Sequence, residues 1–192
     1  MSLYLYKSFL SLFCINAFYS KHFIYSSIPS MELASSSSNL PPMYDVVINF
    51  NGEDIQRKFV SHLDSALSAV GLTTFLHHQN ADNPIHIQQP SLNLSRVAIV
   101  VFTKSYSQSA WCLHQLQQII RWQETYCRHL LPVYYEIEPS DVRLQKGDFG
   151  KAFKATAHQT FSGRKLEHGM SRWSHALTKA ANFFGWDESN YR

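Results

Sequence analysis

The residues best able to hold a metal ion or form a covalent cross-link are ten histidines and three cysteines. Their spacing favours neither role. No His-x-x-x-His pair stands beside a carboxylate, and His77 and His78 are adjacent, so on a strand they face opposite ways. The histidines read as surface or polar-core residues, and no metal site is expected. Cys14, Cys112 and Cys127 contain no CxxC pair, and an odd, sparse set suits reduced thiols in the cytosol. A more suggestive group is Phe50-Asn-Gly-Glu-Asp54. Gly52 permits a tight strand-to-helix turn, and Glu53 and Asp54 fall in a first helical turn, where negative charge is favourable. Helix capping alone accounts for these two acids.

The elements that position this group follow from the hydrophobic pattern. The chain has 192 residues, room for one domain with a sizeable core, alone or with a tail. Hydrophobic residues make up 45%, so a packed core is expected. The net charge of +3 is small and the basic residues are scattered, so nucleic acid is not an expected partner. Residues 1–30 differ from the rest. One lysine precedes the apolar stretch Ser8 to Tyr19, which is leader-like but shorter than the ~20 residues that span a bilayer. No clear cleavage site follows, and Met31 is favoured as the start over a targeting signal. No membrane is expected unless residues 1–30 act as a leader. Residues 31–43, rich in serine and proline, read as a flexible linker.

From Tyr44 the pattern alternates between strand and helix. Tyr44 to Phe50 is a β-branched apolar run suited to a strand buried on both faces. Ile55, Phe59, Leu63, Ala66, Leu67 and Val70 make one helical face between Glu53 and Val70, with Gly71 as the cap. Leu72 to Leu76, Arg96 to Phe102 and Leu130 to Ile137 read as further strands. Between the last two, Cys112, Leu113, Leu116, Ile119 and Ile120 form a buried helical stripe. Gly150 to Thr160 and Met170 to Phe184 read as the closing helices. A fifth strand between Thr160 and Met170 is expected to be short or absent. Short connections between alternating elements imply right-handed crossovers. The expected fold is α/β, a flavodoxin-like doubly wound parallel sheet of four to five strands flanked by helices, over residues 44–187, with 188–192 as a tail.

In such a sheet, ligands gather at the carboxyl ends of the strands, where strand order reverses. Three segments fall there: Phe50 to Asp54, His77 to Gln89 and Thr103 to Trp111. Their motifs resemble one family. Tyr44-Asp-Val-Val-Ile-Asn-Phe-Asn-Gly-Glu-Asp54 is similar to the Tyr-Asp-Val-Phe-Leu-Ser-Phe-Arg-Gly-Glu-Asp signature of plant-type TIR (Toll/interleukin-1 receptor-like) domains. Phe59-Val-Ser-His-Leu63 resembles that family's Phe-x-Ser-His-Leu. Val100 to Tyr106 with Ser109-Ala-Trp-Cys-Leu113, and Leu131-Pro-Val-Tyr-Tyr135 with Pro139-Ser-Asp-Val-Arg143 and Gly147-Asp-Phe-Gly150, resemble later motifs in order. Trp173 and Gly185-Trp186 fit the closing helix. The chain resembles a TIR-only protein or a truncated TIR-type disease-resistance protein.

The resemblance implies a signalling module of plant immunity, cytoplasmic, whose partners are other TIR domains met through Ser61 and His62. It implies NAD as a possible substrate or ligand and no required cofactor. Competent members cleave the nicotinamide–ribose bond through an oxocarbenium-like state, which a carboxylate stabilises. Phe50, Asn51, Gly52, Ser109 and Trp111 take the nucleotide-binding positions. The catalytic glutamate's position, however, is Gln115, and His114 replaces the family's aspartate. Glutamine hydrogen-bonds but carries no charge and cannot act as a base at neutral pH. Losing such a group typically costs roughly 10²–10⁴ in rate. Asn51 and Gln56 stand where the family has arginines suited to a pyrophosphate, and the loop after the second strand departs from the family's acidic and basic stretch and lacks its glycine. An inactive TIR module is therefore expected. The alternatives are a weak or altered NAD nucleosidase and a sensor that binds nucleotide without chemistry.

Overall fold

The computed structural model describes residues 44–77, 92 and 95–186. Expectations for residues 1–43, the loop after the second strand and residues 188–192 lie outside the described residues. The described strands are β1 (Tyr44–Asn49), β2 (Thr74–His77), β3 (Ser95–Phe102) and β4 (His129–Tyr134). They form one parallel sheet in the order β2-β1-β3-β4. Val46 pairs with Thr74 on one side and with Val97 on the other, and Val97 pairs in turn with His129. The chain leaves β1 towards β2 and then crosses to β3 on β1's opposite side. Strand order therefore reverses between β1 and β3, which is where a cleft is expected.

Alternation along the strands divides the core into two layers. Val47, Ala98, Val100 and Phe102 join a cluster with α2 (Ala110–Tyr126), α4 (Gly147–Thr160) and α5 (Arg164–Ala180). Val46, Ile48, Ile99 and Val101, also buried, point the other way. On that side Phe59 stacks on Trp186 at 6.4 Å and tilts against Tyr135 at 5.8 Å.

The first helix departs from the expected regular stripe. Helix α1 starts as Glu53–Ile55, widens into a π turn over Gln56–Val60 and continues as Ser61–Ala69. The wider turn brings Val60 inward beside Phe59, and both are buried. Val70, expected on the apolar face, is 45% exposed, because the helix stops before it and Gly71 turns away at φ 79°.

Other boundaries also differ. β4 ends at Tyr134, since Glu136 adopts φ 53°, a left-handed conformation no strand continues through. The segment after it forms a short helix, α3 (Pro139–Leu144), with proline at the start, where its missing N–H costs nothing. The final helix begins at Arg164, six residues before the expected Met170, and ends at Ala180. That leaves no strand between Thr160 and Met170. Trp186 lies beside β4 instead: Tyr134 N–H donates to its carbonyl at 2.9 Å, and its own N–H donates to Pro132 O at 2.9 Å.

Candidate functional site

The carboxyl ends of β1 and β3 converge on the first turns of α2. Asn49, at the end of β1, is fully buried and accepts a 2.6 Å hydrogen bond from the Tyr106 hydroxyl. The same hydroxyl lies 3.3 Å from Cys112 O. Cys112 Sγ approaches Phe50 O at 3.6 Å. Asn51 Nδ2 donates to Ser105 O at 2.8 Å, tying the turn after β1 to the turn after β3. Ser109 caps α2, accepting from Cys112 N–H at 3.2 Å. Gly52 sits at φ 96°, ψ 146°, a region essentially closed to side-chain-bearing residues. Phe50, Asn51, Ser109 and the first turn of α2 are thus brought together.

Trp111 is half-buried in that first turn, and Gln115 follows it by four residues and Cys112 by three. Helical spacing puts Gln115 on the same side as both. Gln115 is 2% exposed, and its Oε1 is buried with no hydrogen-bond partner among the described residues. A buried acceptor without a donor costs about 1–3 kcal/mol. That energy is recovered when a donor arrives.

His114 lies on a different side of α2. Its ring meets Trp173 edge-on at 4.9 Å and Phe161 at 5.9 Å, under α5. Burial, and then the nearby charge of Arg172, lowers its pKa. It is packing, not a base aimed at Gln115's surroundings. Arg57 also points elsewhere. It pairs with Asp54 at 3.0 Å and with Glu53 at 3.8 Å on its own exposed helix face. Burial raises the Tyr106 phenol well above its ordinary value and pushes the Cys112 thiol up to about 12. Both stay neutral near pH 7 and supply neither base nor nucleophile. Tyr106, Cys112 and Gln115 can hydrogen-bond, and none of the three exchanges protons near pH 7.

The buried Asn49–Tyr106 pair had escaped sequence reasoning. A signal was present: asparagine interrupts an otherwise apolar strand, Val46-Val-Ile-Asn-Phe50, where an unpartnered amide would be costly. Ser61 and His62 are both exposed on α1. Ser61 Oγ reaches back to Gln56 O at 2.8 Å and so helps to close the π turn. No group of three or more potential metal ligands occurs among the described residues. No helix among them is long and apolar enough to cross a membrane.

Comparisons with known proteins bear on the fold and the family. A profile of the TIR domain matches residues 43–192. Disease resistance protein TAO1 of Arabidopsis thaliana is 35% identical over 169 residues, covering 82% of this chain and 14% of that protein. TMV resistance protein N of Nicotiana glutinosa is 37% identical over 156 residues, covering 80% of this chain and 13% of that protein. The chain thus spans only about a seventh of the length of such relatives. Among solved structures, the TIR domains of the activated Roq1 resistosome superpose with a TM-score of 0.65 at 36% identity, covering 77% of this chain and 89% of that one. Fold, motifs and relatives agree: the chain belongs to the TIR domain family.

Proposed function

We propose that this chain is a signalling module of plant immunity that acts in the cytoplasm by associating with other TIR domains, and that its cleft does not appreciably hydrolyse NAD. One observation carries the second half. Gln115, a neutral amide, occupies the buried position where catalysis of the family type needs a carboxylate. Among the described residues, His114 and Arg57 are no substitutes, since His114 is packed under α5 and Arg57 is bound to its own helix. Association is supported by the exposure of Ser61 and His62 and by relatives that are disease resistance proteins. The orphaned Gln115 acceptor suits a ligand hydroxyl, so NAD is read as a ligand the cleft can hold, not as a required cofactor.

The test is NAD turnover by the purified chain at high concentration beside Gln115→Glu, with circular dichroism confirming the fold of both. The wild type should be inert, and the variant should gain roughly 10²-fold or more over it. Equal rates would overturn the proposal and favour the weak NAD nucleosidase. Stabilisation of the wild type by ADP-ribose in a melting experiment would add nucleotide binding to its role.

A further inference from the structure

The dipeptide Asn51-Gly52 can react with itself, and the fold leaves it open to do so. Of the asparagines in the chain, Asn51 alone precedes a glycine; at every other one the next residue carries a side chain. A backbone nitrogen can attack the carboxamide carbon of the asparagine before it and close a succinimide ring. A glycine nitrogen is the least shielded against doing so, because no Cβ stands beside it.

The turn after β1 sets few obstacles to that attack. Gly52 is exposed and Asn51 half-buried, so water reaches the pair. Gly52 N–H donates to no acceptor among the described residues, so the attacking nitrogen is not tied up. A Cβ built on Gly52 meets nothing within 4 Å, so the turn has room to bend. No side chain caps the helix that starts there. One contact holds the carboxamide, the 2.8 Å bond from Asn51 Nδ2 to Ser105 O. The rate is therefore set by how often that bond opens.

We propose that Asn51 is a self-modification site, converted in the folded chain to aspartate and isoaspartate through a succinimide with Gly52, and that the conversion unties the turn after β1 from the turn after β3. The Gly52 nitrogen gives up its proton and bonds to Asn51 Cγ. The bond from Cγ to Nδ2 breaks, and ammonia leaves with that proton. Water then opens the ring. Attack at Cγ gives aspartate. Attack at the main-chain carbonyl carbon gives isoaspartate, whose backbone runs through the former side chain and is one methylene longer. One water is consumed, one ammonia is released, and nothing is oxidised. Both products lose the amide donor that Ser105 O accepts. An ionised aspartate only accepts, so in that product an oxygen faces the Ser105 carbonyl where an N–H stood. The new charge also joins Glu53 and Asp54 in the same turn, and Arg57 already serves both. Ammonia escapes to solvent, so the change does not reverse by itself and marks the age of the chain. None of this depends on whether the cleft binds a nucleotide.

Ageing the purified full chain in mildly alkaline buffer tests the proposal. Peptide mass spectrometry reads the loss of the amide at position 51, and enzymatic methylation reads isoaspartate there. Conversion at Asn51 in the native chain should outrun that at the other asparagines. It should quicken as pH rises, because the attacking nitrogen must lose its proton. Gly52→Ala should lose the isoaspartate signal at position 51. Isoaspartate forms only through the ring, so its presence in the wild type reports the route whether or not that variant folds. Aged wild type and fresh Asn51→Asp should both show a lower denaturant midpoint than fresh wild type. Conversion that appears only in urea overturns the proposal, since the fold then holds the pair shut. Aspartate without isoaspartate at position 51, or undiminished conversion in Gly52→Ala, overturns the ring route. An unchanged midpoint in Asn51→Asp overturns the untying of the two turns.

Discussion

The turn after β1 and the turn after β3 face each other across the switch point of the sheet, and they are held by different means. The β3 turn is locked. Tyr106 and Ser107 are fully buried, Ser107 Oγ donates to Phe149 O at 2.9 Å, and Thr156 Oγ1 donates back to Ser107 O at 2.9 Å. Ser109 then caps the helix that carries Gln115. The β1 turn is open. Gly52, Glu53 and Asp54 are exposed, α1 starts without a side-chain cap, and a π turn follows. On the function proposed above, the positions that would face an anion belong to the open turn, and Gln115 is carried by the helix that the locked one caps. Charge can therefore be lost at either place by side-chain replacement alone, while the backbone that shapes the cleft persists.

The sharpest way to break this contrast is Tyr106→Ala. Removing a buried ring and its bond to Asn49 should destabilise the chain by about 3–5 kcal/mol, read as a lowered denaturant midpoint. A loss under about 1 kcal/mol would mean that the β3 turn is not locked. Gly52→Ala probes the open turn. Nothing lies within 4 Å of an added Cβ, so backbone strain alone should act, at about 1–3 kcal/mol. A larger loss would show packing at a turn that has room.

The smallest effect is sought on the far side of α2, at His114. Its pKa is lowered by burial first and by Arg172 second. Between its depressed folded value and the ordinary histidine value, the unfolded chain binds more protons than the folded one. Stability should therefore fall as pH drops from about 7 to 5, and part of that fall should vanish in His114→Phe, which keeps a ring against Trp173. An unchanged melting-temperature slope in the variant would place the pH sensitivity elsewhere.

The fold could be read from the sequence wherever burial is periodic. β1, β3 and the Cys112 to Ile120 stripe are apolar at the required intervals, and the parallel, doubly wound sheet followed from strand–helix alternation. Elements whose boundaries depend on a single backbone conformation were harder to read. The π turn at Gln56–Val60 leaves the apolar spacing nearly helical, and the end of β4 rests on one residue at positive φ. Arg164 to Gly169 is almost wholly polar, so the first turns of α5 gave no periodic signal. At the site, Gln115 was legible as a position but not as an orphaned acceptor. Burial and partners depend on how β1, β3 and α2 meet, which no local pattern records.

Trp186 has a consequence for how the domain can be cut. By exchanging hydrogen bonds with Pro132 and Tyr134, it covers part of the outer margin of β4, and Phe59 lies against its ring. A version trimmed before Gly185 would open that margin to solvent and uncover the aromatic face beneath it. Exposed strand margins recruit one another. Such a fragment should precipitate during purification even with its cleft intact.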